Sequence, residues 1–134
     1  MRGFKPYGVH GIHIHKCGDL TKGCLSACEH YNPYGKLHGS QKRSERHVGD
    51  LINNITCDSS GEFKFAYEDN LIELFGDRNI AGRMIVIHLK EDDGGKYIND
   101  YSVNENIRKE SGITGNAGER IACAVIGVAE SQQC

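Results

Sequence analysis

Three things are scarce in this sequence, and each scarcity excludes something. No apolar stretch approaches the roughly 18 residues that a membrane-spanning helix needs, and nothing near the start reads as the apolar region of a signal peptide. A cytoplasmic protein with no membrane partner is therefore expected. Neither sign of charge is in surplus: 16 Lys and Arg against 18 Asp and Glu leave a net charge of −2. The one short basic run, Gln41–Arg46, is interrupted by Glu45, so no nucleic-acid partner is expected either. Proline is nearly absent, with two residues against 17 glycines. Glycine-rich punctuation between short apolar runs predicts many turns and an all-β domain. The 134 residues suffice for one core, and they carry no repeat, linker or low-complexity segment, so one domain over 1–134 is expected.

What the chain does hold is histidine in an unusual place. Six of its seven histidines fall between Gly8 and Asp50. His13 and His15 stand two apart in the apolar run Val9–His15, so on a strand both rings share a face. His30, His38, His47 and Asp50 follow at open spacings among Gly, Pro and Asn, which reads as loop. A lone strand histidine is usually a structural hydrogen-bonder, but a cluster of this density points to metal. Imidazole suits copper and zinc, and one carboxylate among imidazoles is compatible with tetrahedral zinc.

In chain order, residues 1–7 read as a turn-like entry and Val9–His15 as the first strand. Lys16–Gly49 is a connection well beyond ordinary loop length, hence functional. Leu51–Cys57 is the second strand. Glu62–Tyr67, with aromatics at alternate positions, is predicted as a third strand with those rings on one face. Leu71–Phe75 reads as a loop plug, Met84–Leu89 as a buried strand carrying the isolated His88, and Arg120–Ala129 as the last strand. Lys90–Glu119 is a second long, polar, Gly-rich loop. The six cysteines admit many pairings among which sequence does not choose, and without a signal peptide the default is reduced thiols.

G-I-H-I-H-K-C-G-D (residues 11–19), H-Y-N-P (30–33), E-R-H-V-G-D-L (45–51) and G-N-A-G-E-R-I-A-C-A-V-I-G (115–127) together resemble the copper-zinc superoxide dismutase family, with Ala124 where a glycine is usual. The resemblance covers nearly the whole chain. It implies a Greek-key β-barrel or sandwich with two long functional loops, copper and zinc as cofactors, and superoxide as substrate. Copper would alternate between Cu(II) and Cu(I), supported by a zinc-bound bridging histidine. It implies His13, His15, His30 and His88 as copper ligands, and His30, His38, His47 and Asp50 as zinc ligands. His30 is then the bridge, and Asp92 the carboxylate joining a copper ligand to a zinc ligand. Arg120 is implied as the guanidinium beside copper, with His30 and Arg120 the catalytic groups. Cys24 and Cys123 are implied as the disulfide, while Cys17, Cys28, Cys57 and Cys134 are expected as free thiols. His10 is read as a brace through a backbone hydrogen bond. A homodimer and loading by a copper chaperone are further implications.

The chain departs from the family pattern in three places. The family has about three strands before the copper-binding strand, whereas here only residues 1–7 precede it, so either the sequence begins late relative to its gene or another chain completes the fold; an open five-strand remnant would expose sheet edges. The loop from Asp93 to Glu110 is lengthened and carries Tyr97, Tyr101, Val103 and Ile107. Glu110 and Thr114 match channel residues, but Ile113 stands where a lysine often steers the anion, leaving Lys96, Arg108 or Lys109 to compensate. Cys17 takes a place often held by a large apolar residue of the dimer contact. The competing reading is a non-catalytic dismutase-like module, a copper-chaperone domain or a zinc-only store. Such a domain is expected to lose copper ligands or gain C-x-C, and this chain does neither.

Overall fold

The computed structural model describes residues 2–129. Its order is β1 (Val9–His15), β2 (Thr21–Cys24), a single 3-10 turn (Leu25–Ala27), β3 (Asp50–Thr56), β4 (Met84–His88), α1 (Glu105–Ser111) and β5 (Arg120–Val125). Four strands make one antiparallel sheet in the order β3-β1-β4-β5. The chain lays β3 against one edge of β1, then crosses to the other edge for β4, the connection of a Greek key. The fold is all-β with one short helix. No helix among the described residues is long and apolar enough to cross a membrane.

Register explains how the sheet holds two chemistries. Ile12 opposes Ile87 and Ile14 opposes Ile85, so one face of the β1–β4 pair is aliphatic. His13 opposes Val86 and His15 opposes Met84, which puts the histidines on the other face. The aliphatic face carries two core clusters, one around Ile12, Ile55 and Ile87 and one around Ile14, Tyr31, Val48, Leu51 and Ile80. Burial of several such side chains is worth about 2 kcal/mol each and holds the sheet rigid beneath the histidines. Register shifts fall between Ile12 and His13 against β3, and between Ile87 and His88 against β5. Bulges of this kind re-aim side chains, and both adjoin a histidine of the site.

Most predicted strands are present to within a few residues, β1 with the bounds read from sequence. Glu62–Tyr67 is the exception: it forms no strand, because no described strand pairs with it in a hydrogen-bond ladder. Its aromatics do not share one buried face either, since Phe63 and Tyr67 pack on the cores while Phe65 is 45% exposed. Leu71 and Ile72 do plug a core, whereas Leu74 and Phe75 stay exposed. The last strand ends at Val125 rather than Ala129. Both long loops contain structure that periodicity missed. β2 and the 3-10 turn lie in 16–49, and α1 lies in 90–119, capped where the Asn104 side chain accepts from the Ile107 N–H at 2.9 Å. Seven mostly polar residues are too few for a helical period to show.

Candidate metal centre

The histidines gather on the face of the sheet opposite the aliphatic one, and their hydrogen bonds fix their tautomers. A backbone carbonyl only accepts, so the ring nitrogen facing it carries the proton. His15 Nδ1 therefore donates to the Cys28 carbonyl (2.8 Å), and His88 Nδ1 to the Gly118 carbonyl (2.9 Å). Both Nε2 atoms are left with lone pairs, and they face each other at 3.2 Å. His13 gives Nε2–H to Asp92 Oδ2 at 2.5 Å, leaving its buried Nδ1 without a partner. His30 Nε2 is likewise buried and unpartnered. Ligand atoms of His13, His15, His30 and His88 lie within 4.8 Å of one another. Lone pairs turned toward a common point repel unless a cation sits between them, so this donor set fits a metal that prefers imidazole.

A second convergence lies on the other side of His30. Asp50 Oδ1 is 3.0 Å from His30 Nδ1, 3.0 Å from His38 Nδ1 and 3.2 Å from His47 Nδ1. A tetrahedral zinc ion with bonds of about 2.0 Å would hold its ligand atoms roughly 3.3 Å apart. Asp50 Oδ2 is fixed independently by the Gly39 and His47 N–H groups, each at 3.0 Å. His13 also falls within ligand reach of His30, His38 and Asp50, its ring centroid being 4.0 Å from that of His30. Its Nε2, however, is already committed to Asp92.

Asp92 joins the two sets, taking His13 on Oδ2 and His38 Nε2 on Oδ1 at 2.9 Å. It is held in turn by the Gly94 N–H (2.6 Å) and the Asn53 side chain (2.9 Å), while Asn54 brackets its backbone with two bonds of 2.8 Å. Gly115 passes so close that a Cβ there would meet Asp92 Oδ1 at 2.1 Å and His38 Nε2 at 2.5 Å. Asn53 adopts φ +66 and also reaches Gly39 and Gln41 on the loop. Arg46 pins that loop from below, donating to the Asp50 carbonyl and, at 2.8 Å, to Asp69, which also accepts from the Tyr67 hydroxyl. Asn53, Asn54, Arg46 and Asp69 were not legible as site residues. Asn53, Asn54 and Arg46 carry no ligand chemistry, Asp69 stands apart from the histidine cluster in the chain, and only the i+4 spacing of Arg46 and Asp50 hinted at contact.

The electrostatics suit neutral imidazole ligands. Burial lowers the His15 pKa to about 3 and that of His88 to about 4, neighbouring His13 adding to both shifts, and burial takes His30 well below the ordinary value. His38 runs the other way: burial opposes its charge, but Asp50 and Asp92 outweigh it and raise its pKa to about 9. Asp50, although buried, is held well below the carboxylate range by His30, His38 and His47. Two buried carboxylates flanking His38 favour positive charge at this point, which suits a divalent ion beside Asp50.

Above His15, His30 and His88 opens a cavity of about 440 Å³, lined also by Glu29, Lys90, Glu110, Ile113, Thr114 and Arg120. Arg120 donates from Nη1 to the Cys24 (3.0 Å) and Leu25 (3.2 Å) carbonyls, and from Nη2 to the Cys28 carbonyl. Of the cations that the sequence offered to replace a lysine at Ile113, none lines this cavity: the Arg108 guanidinium lies over the Tyr101 ring, Lys96 over Tyr97. The lining lysine is Lys90, two residues beyond His88, which sequence reading passed over as the first residue of a loop. His10 is the expected brace, its Nδ1 donating to the His88 carbonyl at 2.9 Å.

Cys24 and Cys123 form a disulfide, and so do Cys17 and Cys28, which corrects the expectation of free thiols for that second pair. The Lys16–Cys17 backbone pairs with Ala27 and Glu29 and brings the two sulfurs together, a juxtaposition invisible at a spacing of 11. Cys57 is buried and has no disulfide partner among the described residues, and Cys134 lies outside them.

Comparison with known proteins returns one consistent answer. The family model described as copper/zinc superoxide dismutase matches residues 1–126. A "Superoxide dismutase [Cu-Zn]" of Paramecium bursaria Chlorella virus 1 is 48% identical over all of this chain and 66% of its own length. The protein of that name from Schizosaccharomyces pombe is 49% identical over 89% of this chain and 71% of its own. "Superoxide dismutase [Cu-Zn] A" of Xenopus laevis is 50% identical over 90% and 72%. The chain thus spans about two thirds of the length of these relatives. A crystal structure titled as that of the clock protein EA4 superposes with a TM-score of 0.82 at 42% identity, over 93% of this chain and 73% of that one. Sequence motifs, sheet, paired donor clusters and matches agree: the chain belongs to the copper/zinc superoxide dismutase family.

Proposed function

We propose that this chain disproportionates superoxide to oxygen and hydrogen peroxide. Copper is held by His13, His15, His30 and His88, and zinc by His30, His38, His47 and Asp50. The observation that carries the reading is the ring of His30, which turns one nitrogen toward each donor set directly beneath a cavity that Arg120 overlooks. Copper, when bound, supplies the one-electron couple; zinc carries no redox chemistry and contributes charge and shape.

The chain's own residues do the rest. Arg120 presents an always-charged fork at the cavity, where a small anion docks, and three carbonyls stop it from swinging away. Asp92 orients His13 and His38 together, and the Cys28 and Gly118 carbonyls orient His15 and His88. His30 is the group placed to hold a proton at Nε2 facing the cavity and to release it to product. A homodimer, loading by a copper chaperone and a cytoplasmic location belong to the same reading.

The test is superoxide decay with copper and zinc content measured alongside. Arg120→Ile is expected to keep both metals and lose about tenfold or more of the rate, the loss expected on removing one charge-assisted contact to the reacting anion. Zinc alone without turnover would favour the non-catalytic module; full activity in metal-replete Arg120→Ile would remove Arg120 from the mechanism.

A further inference from the structure

Two disulfides converge on one short segment. Cys24–Cys123 has a sequence separation of 99 and ties β2 to β5, the strand that begins with Arg120. Cys17–Cys28, separated by 11, closes residues 17–28 into a ring containing β2 and the turn Leu25–Ala27. The three carbonyls that grip the Arg120 guanidinium, those of Cys24, Leu25 and Cys28, all belong to this ring.

Cys28 is the critical member. Its carbonyl accepts from Arg120 Nη2 and from His15 Nδ1 at once, so one peptide orients both the guanidinium and a donor of the imidazole set. Its backbone stands at φ +64 and ψ −156, a region that L side chains rarely adopt and that persists only where the surroundings impose it. The other local restraints are non-covalent: the backbone bonds Cys17 N–H to Ala27 O (3.0 Å), Lys16 N–H to Glu29 O (2.9 Å) and Tyr31 N–H to Ile14 O (2.8 Å), the Lys22 N–H bond to Ser26 Oγ (2.8 Å), and an exposed Lys16–Glu29 ion pair that is worth little. The covalent bond from the Cys28 side chain to Cys17, two residues beyond β1, adds the one tie that thermal opening of these hydrogen bonds does not release, and it opposes rotation of the 28–29 peptide, which would turn the shared acceptor away.

We infer that Cys17–Cys28 is a second, independent positioning device for Arg120. It holds the carbonyl cradle in place when Cys24–Cys123 is open, so the two disulfides are redundant for anion docking. The inference rests on the reading of Arg120 as the anion anchor, and the test separates the two.

Azide is titrated into copper- and zinc-loaded protein, followed by visible absorption with metal content and free thiols measured. The proteins are wild type, Cys17→Ala/Cys28→Gly, Cys24→Ala/Cys123→Ala, the combination of all four substitutions, and Arg120→Ile. Glycine at 28 accepts the positive φ without strain. Losing either bond is expected to weaken azide binding by no more than about threefold, and losing both by about tenfold or more, more than the product of the two single effects. Effects that simply multiply, or a Cys24→Ala/Cys123→Ala protein already as weak as the combination, would overturn redundancy. Unchanged azide affinity in Arg120→Ile would instead overturn the anchor reading. If the combination fails to take up metal, proton exchange of the Arg120 guanidinium by NMR in zinc-loaded, copper-free Cys24→Ala/Cys123→Ala decides. Exchange that quickens about tenfold once Cys17–Cys28 is reduced supports the inference, and unaltered exchange overturns it.

Discussion

The two donor sets that share His30 are built on opposite plans. His13, His15 and His88 stand on strands, and for two of them the outward nitrogen is set by a backbone carbonyl; the set opens onto a cavity. His38 and His47 stand on the 16–49 connection, and with His30 they converge on the carboxylate of Asp50, buried at the head of β3. A rigid strand pair keeps donors in place whether or not an ion is present, which suits a centre that must exchange a ligand with solvent. A loop needs the charge at its middle to hold it, which suits an ion that never leaves. The difference teaches that the sheet supplies the open site and the closed site supplies the order of the loop.

The largest effect is expected from Asp50→Asn. It removes the negative charge at the meeting point of three imidazoles while leaving every strand donor intact. Zinc is expected to be lost, with a stability loss of about 3 kcal/mol or more from an uncompensated buried network; zinc retention at wild-type levels by metal analysis would refute the loop-held plan. His88→Ala works from the other side. Copper should be lost and most zinc kept, since His88 meets the imidazole set alone; equal loss of both metals would show that the sets are not separable.

Asp69→Asn loosens the loop without touching a donor. Asp69 accepts from the buried Arg46, which in turn holds the Asp50 carbonyl. Its pKa lies below the ordinary value: burial opposes the charge, but Tyr67, the Leu71 N–H and Arg46 outweigh it. Because the folded pKa is depressed, the contribution of this carboxylate is fully present above about pH 4 and fades as pH falls through the folded value. The variant is therefore expected to be about 2 kcal/mol less stable than wild type at neutral pH, with the gap closing in acid. A gap unchanged down to pH 2 would contradict the assignment.

The smallest effect belongs to Lys90→Met. One cation at the cavity mouth should alter the rate about twofold at low salt and flatten its dependence on ionic strength, because screening limits the reach of a charge to about 8 Å at physiological salt. If Lys96→Met, whose charge lies over Tyr97 outside that cavity, changes the salt dependence as much, steering is not local to the mouth.

Sequence alone determined the donor inventory and the sheet that carries it. An i, i+2 pair of histidines in an aliphatic run places itself on one face of a strand through local geometry, and β1 has the bounds that the run predicted. The family resemblance, not periodicity, pointed to His88, Asp92 and Arg120 and to the pairing of Cys24 with the distant Cys123, which the structure contains. Tertiary structure decided everything that depends on partners brought together from a distance. It set which nitrogen of His13, His15 and His88 is free, because that depends on the Asp92 carboxylate and the carbonyls of Cys28 and Gly118. It left Glu62–Tyr67 without a ladder despite its alternation, since a strand needs a neighbour as well as a pattern. It chose Lys90 over three other cations for the cavity, because loop charges go where packing sends them. And it joined Cys17 to Cys28 across a turn whose geometry no spacing records, placing a second covalent tie under the guanidinium that faces the site.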